Sequence, residues 1–249
     1  MKPNPNTALF WLGLAAILLP SLHAATYYVD FERGNDASPG TSLTTPWQHC
    51  PGDSNAVSSA GSASLKPGDT VLFKGGTAYE GEVDFKWSGT DGFPITYDGN
   101  SAATWGSGKA KMDCANRLYH AFAAQHLLGP HNHLIINNFD IVHLKNVAKG
   151  SQSVNTVPGS DDLPGTTNRV TFKGDGGTYS YGGIFVYGTD WLVTGCDLHE
   201  SEQWGYRALA GSDPSAEIPC LQAGINALTG TNVVITNCAI WQIGRDCIR

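Results

Sequence analysis

The chain has 249 residues, enough for one large domain or two small ones, and only 15% of them are charged, well below the globular norm of about 25%. Its 15 basic side chains stand against 22 acidic ones, a net charge of −7, so it lacks the basic patch of a nucleic-acid binder and gains no long-range steering towards an anionic polymer. Thirty glycines among many Thr, Asn, Val and Ile argue for short strands joined by tight turns rather than long helices.

Lys2 precedes an apolar run at 8–19 (ALFWLGLAAILL), which Pro20 breaks before the small residues Ala24 and Ala25. That is the pattern of a secretory signal peptide cut near Ala24, and the run is shorter than the ~20 residues that span a bilayer. The expectation is a signal peptide at 1–24 and a single domain at 25–249, secreted, extracellular or periplasmic, monomeric and without membrane contact after cleavage. Loss of Lys2 leaves 14 basic against 22 acidic side chains, so attraction to an acidic polysaccharide needs a local Lys/Arg cluster or a bound cation. Cys50, Cys114, Cys196, Cys220, Cys238 and Cys247 all lie beyond the leader, and an even count in an exported chain permits three disulfides. No CxxC pair occurs to suggest structural zinc.

From 25 to 110 short strands alternate with turns. Tyr27–Val29 reads as a strand, followed by turn chemistry at Gly34-Asn35-Asp36 and Ser38-Pro39-Gly40. Thr70–Lys74 and Pro94–Tyr97 are further strands between Gly-rich corners, and Cys114–Leu128 is the one segment with a helical pattern. Beyond it the sequence repeats. HNHLIINNFDIVHL (131–144), GTDWLVTGCDLHES (188–201) and GTNVVITNCAIWQI (230–243) align without a gap. Their shared columns are Leu134/Trp191/Val233, Ile136/Val193/Ile235, Asn138/Gly195/Asn237 and Ile141/Leu198/Ile240. The first two columns have the spacing of a strand with one buried face, and the third suits a left-handed corner. A second recurring element, Gly183–Tyr187 and Gly224–Leu228, precedes the second and third copies, and Cys247-Ile248-Arg249 begins another. The unit is about 23 residues, one coil of a stacked solenoid. Insertions fall at 145–182 and 200–223, and the predicted domain divides into a cap with first coils (25–110) and repeat coils (131–249). If Cys196 and Cys238 sit in adjacent coils, their spacing allows either a disulfide or two free buried thiols.

The repeats, with TYYVDFERGNDASPGTS, LKPGDTVLFKGGTAYEG and SGTDGFPITYDG, resemble the right-handed parallel β-helix proteins, and the amino-terminal motifs resemble the family 9 polysaccharide (pectate) lyases. The resemblance implies an all-β right-handed parallel β-helix, here truncated at its C-terminal end, with substrate along the outer face of one sheet. Strand alternation would put Phe185, Asn226 and Arg249 in one outward column, with Tyr187 beside it. The 200–223 insertion would overhang that face, bringing Trp204, Tyr206 and Arg207 to sugar rings and carboxylates. Lyases of this fold use a Lys or Arg base and often calcium, which makes Arg207, Arg249 and Lys173 the catalytic candidates and Asp197, Asp213 and Asp246 the Ca2+ candidates. The implied function is β-elimination of an acidic (uronate) polysaccharide. A non-catalytic carbohydrate-binding or surface solenoid is the alternative. A third reading, a polygalacturonase-like hydrolase, rests on the tail NVVITNCAIWQIGRDCI, in which Asp246 is the one matching carboxylate of that family's motif.

Overall fold

The computed structural model describes residues 24–115, 117–118, 120–124, 129–144, 181–201, 222–243 and 246–248. In chain order its strands are β1 (Thr26–Val29), β2 (Thr70–Phe73), β3 (Ala78–Tyr79), β4 (Val83–Asp84) and β5 (Ile95–Asp98). Next come β6 (Ala110–Asp113), β7 (Phe122–Ala123), β8 (Leu134–Asn137), β9 (Phe139–Val142) and β10 (Tyr181–Thr194). The last are β11 (Asp197–His199), β12 (Gln222–Thr236), β13 (Ala239–Ile240) and β14 (Asp246–Ile248). The strands predicted near residues 27, 70 and 95 are therefore present, within one residue at most ends. The fold is all-β, and every pairing among these strands is parallel.

Three rows of stacked strands result. One runs β1, β2, β5, β8 and the second halves of β10 and β12. Another runs β4, β7 and the first halves of β10 and β12, then β14. The third is a separate sheet in the order β3, β6, β9, β11, β13. From β8 onward the chain visits the rows in the same sequence at each pass. The pairing register explains the sequence columns: Tyr97, Ile136, Val193 and Ile235 stack in one file, and Ile95, Leu134, Trp191 and Val233 in another. All but Ile235 and Val233 in these files are at most 1% exposed. On the third sheet Met112, Ile141, Leu198 and Ile240 form the matching file. Each fully buried apolar side chain of this kind stabilises by ~1.5–3 kcal/mol relative to exposure. The core thus assembles by stacking like on like.

The corners are as informative as the strands. The predicted Asn/Gly column is left-handed, with φ of 64° at Asn138, 65° at Gly195 and 52° at Asn237. Asn138 Nδ2 donates to the Gly99 carbonyl at 2.8 Å, so this amide bonds to backbone one layer away rather than to another amide. Two further left-handed files exist that no Asn/Gly column announces in full. His133, Asp190 and Asn232 form one; His143, Glu200 and Gln242 form the other.

Two expectations are corrected. The helical segment at 114–128 holds no helix among its described residues and instead contributes β7, because Phe122 is needed in the core beside Phe85 and Phe139. The described helix is a single turn at Ser58–Ser62. Cys50, Cys114, Cys196, Cys238 and Cys247 are free thiols, so no disulfide joins the described cysteines. Among the described residues no helix is long and apolar enough to cross a membrane.

Candidate functional site

The third sheet turns a polar face outward. Its strands alternate, so Lys111, Asp140 and Asp197 stack in one outward file and Asp113 shares the neighbouring file with His199. Immediately past β9 and β11 the chain turns through the left-handed residues His143 (φ 53°) and Glu200 (φ 52°). Neither is Gly or Asn, and bulky residues held in this region cost ~1–3 kcal/mol each, which is characteristic of functional positions. The turn aims both side chains along the same edge. His143 Nδ1 lies 2.9 Å from Asp113 Oδ1 and its Nε2 lies 3.0 Å from Glu200 Oε2. Glu200 Oε1 is 3.3 Å from His199 Nδ1, and His199 Nε2 is 2.8 Å from Asp140 Oδ1. Five side chains from three segments thus form one continuous acid–imidazole chain: Asp113, His143, Glu200, His199, Asp140.

Its proton count sets its chemistry. An ionised carboxylate only accepts, and a neutral imidazole has one N–H. His143 touches carboxylates through both ring nitrogens, so a second proton must reside on its ring or on a carboxyl. That proton has alternative seats along the chain, which is what acid–base work requires. Burial alone would raise the Asp113 pKa, but the His143 hydrogen bond, the Ala115 N–H and the charges of His143 and Lys111 outweigh it and hold the carboxyl below its usual range. Glu200 is the most exposed member at 51%, against 16% for His199. The Trp241 ring stacks flat on His199, with centroids 4.2 Å apart and 6° between planes, and remains 42% exposed. A flat exposed indole beside titrating groups suits the apolar face of a sugar ring. Leu144 and Ser201, which lie at this edge, adjoin the two insertions of the sequence. Ser201 ties these two points together, its Oγ accepting from Leu144 N at 3.1 Å.

Further along this edge, past the ends of β3 and β6, lies a cleft of about 370 Å³ lined by Ser54, Glu80, Glu82, Asp84, Arg117 and Leu118 among others. Arg117 pairs with Glu80 at 3.2 Å, but the two side chains are 70% and 50% exposed. Such a pair contributes little to stability and leaves Arg117 available to exchange partners with a ligand carboxylate. Glu82 and Asp84 are two apart on or beside β4, hence on one face. Burial first, then the charge and hydrogen bond of Asp84, then the charge of Asp53, push the Glu82 pKa from 4.5 up to about 8. Between those values the folded chain keeps a proton that the unfolded chain releases, so Glu82 makes stability fall as pH rises through the window and level off above about 8. Thermal melts of Glu82→Gln against wild type should show that decline flattened in the variant; parallel pH profiles would contradict it.

The residues singled out from sequence fall differently. Lys173, Trp204, Tyr206, Arg207, Asp213 and Arg249 lie outside the described residues, as does the side chain of Asp246. Phe185 and Asn226 do stack in register, as expected of one column. Both are covered, Phe185 4% exposed and Asn226 fully buried, yet neither belongs to the core cluster that holds Ile184, Val186 and Ile225. The run Gly182–Val186 is buried throughout, so this strand is covered on both faces: Ile184 and Val186 by the core, Phe185 on the side away from it. Tyr187 is half-buried and packs against the core. Asp197 is outward but its carboxylate meets Lys109 Nζ at 2.7 Å, a poor fit to a calcium ligand. No three His, Cys, Asp or Glu side chains among the described residues converge in a metal-binding group. His143, His199 and Glu200 were missed. The signal was present in the ungapped repeats, where His143, Glu200 and Gln242 share one column and His199 and Trp241 share another.

No protein-family model matches the chain, and no curated protein does. Among solved structures, a rhamnogalacturonan lyase superposes with a TM-score of 0.47 at 16% identity, over 88% of this chain and 52% of its own. The selenomethionine form of the GH136 lacto-N-biosidase from Eubacterium ramulus superposes with a TM-score of 0.43 at 15% identity, over 90% and 42%. The native form of that protein gives 0.37 at 14%, over 81% and 40%. The chain thus spans about half or less of the solved chains it matches. Likeness at this level assigns neither family nor activity.

Proposed function

We propose that the chain is a right-handed parallel β-helix that binds an acidic polysaccharide and cleaves it by β-elimination. Support for the fold is the fixed order in which the chain revisits three parallel rows, since crossovers between parallel strands are right-handed in ~98% of cases. The observation that carries the function is the acid–imidazole chain Asp113–His143–Glu200–His199–Asp140 beneath an exposed Trp241.

In β-elimination the C–H bond α to a uronate carboxyl gives its proton to a base, the glycosidic C–O bond breaks, and the leaving oxygen takes a proton. Glu200, the most exposed member, accepts the α-proton in this reading and passes it to His143 or His199, both of which it contacts. His143 returns a proton to the leaving oxygen. Lys111, whose charge already acts on Asp113, offsets the charge that builds on the uronate. Trp241 holds a sugar ring flat. A binding-only reading has one observation in its favour: the Trp241–His199 stack is a complete sugar platform without any chemistry.

The test is release of near-ultraviolet-absorbing unsaturated products from pectate, alginate and glycosaminoglycans by the full chain, with and without chelator. Product formation lost with chelator would assign calcium a role. Binding of a polymer without product would favour the platform reading, and no product from any of them would sink elimination.

A further inference from the structure

A second piece of chemistry sits on the inner side of the same sheet. Asp197 on β11 pairs with Ala239 on β13, so the preceding residues, Cys196 and Cys238, stand one above the other in adjacent layers. Their surroundings repeat: Cys196 Sγ is 3.4 Å from the Thr194 carbonyl, and Cys238 Sγ is 3.3 Å from that of Thr236. The two thiols are close enough for each to shift the other's acidity. Parallel strands ~4.8 Å apart lie within the ~4.4–6.8 Å Cα range that a disulfide spans. Cys196 is fully buried, whereas Cys238 is only partly so. We propose that Cys238 and Cys196 are an attacking and a resolving thiol, a redox-responsive pair that closes across two strand layers on meeting a low-molecular-weight disulfide. The proposal rests on strand register and thiol contact, independently of the acid–base reading.

The electron balance is that of thiol–disulfide exchange. Cys238 thiolate attacks one sulfur of the external disulfide; that S–S bond breaks, a mixed disulfide forms, and one small thiol leaves with a proton. Cys196 then loses its proton and attacks Cys238 Sγ, expelling the second small thiol. The protein is oxidised by two electrons and the small disulfide is reduced to two thiols. The electrostatics assign the roles. The hydrogen bond from Cys196 lowers the Cys238 pKa to about 6, against a burial penalty and with help from the Cys196 backbone and Lys109. Cys196 moves the opposite way, through the same hydrogen bond and its own burial.

The experiment treats the reduced full chain with oxidised glutathione and follows intact mass and peptide maps. The expected result is a net loss of two hydrogens with a Cys196–Cys238 crosslink, while Cys196→Ser stops at a glutathione adduct on Cys238. Iodoacetamide at pH 6 should label Cys238 in the folded chain about tenfold faster than in the denatured chain, the gain in thiolate being partly offset by lower nucleophilicity. A wild-type adduct on Cys238 that never closes, a crosslink of Cys238 to Cys247 or Cys220, or no labelling advantage would each overturn the proposal.

Discussion

Glu200→Gln is expected to lower kcat/KM on a uronate polysaccharide by ~10²–10⁴, the usual contribution of one positioned acid–base group. The amide keeps the shape of the side chain but cannot accept the substrate proton, and it replaces an acceptor facing both His143 and His199 with a group that also donates. Stability should hardly move, within ~0.5 kcal/mol, because the Glu200 side chain is 51% exposed. A fall in kcat with unchanged KM and an unchanged melt is the signature. Activity within a factor of two of wild type would place the base elsewhere, with Asp113 and the cleft around Glu82 the next positions to change.

Trp191→Ala should have the largest effect on stability. The indole is 1% exposed, sits edge-on to Phe85 with centroids 5.1 Å apart, and donates from Nε1 to the His131 carbonyl at 2.7 Å. Truncation leaves a cavity costing ~3–5 kcal/mol and strips a buried carbonyl of its donor. Against the ~5–15 kcal/mol that holds a domain together, this is a large share. Trp191→Phe restores much of the volume but not the hydrogen bond, and should recover most of the loss. The check is the urea midpoint at constant slope. A shift worth under ~1 kcal/mol would mean that the layers around Trp191 close over the gap.

The architecture was legible because a stacked fold writes its core into the sequence repeatedly. Ile136, Val193 and Ile235 are one buried file seen three times, and Asn138, Gly195 and Asn237 are one corner seen three times. The site was not, for the complementary reason. A repeat is recognised by columns that agree, whereas the acid–imidazole chain occupies columns that disagree: His143 over Glu200, His199 beside Trp241. Such residues are exempt from the packing that makes the other columns uniform. For Phe185 and Asn226 alternation gives the side of the strand but not its exposure, since Gly182–Val186 is buried on both faces. The short segment around Phe122 misled through composition, since Ala- and Leu-rich sequence favours helix until the core claims its aromatic ring.

The left-handed corner at His143 and Glu200 also bears on how such a protein diversifies. These partners are 57 residues apart along the chain yet meet at 3.0 Å, because strand register, not the intervening segment, sets their distance. Closing a loop twice as long costs only ~0.6 kcal/mol more. Changes of length or sequence in the insertions that adjoin Leu144 and Ser201 should therefore leave the geometry of the acid–imidazole chain intact. Selectivity for one polymer over another and the capacity to cut it would be inherited separately, and a library varying only those two segments should alter substrate range without retuning the pH profile of turnover.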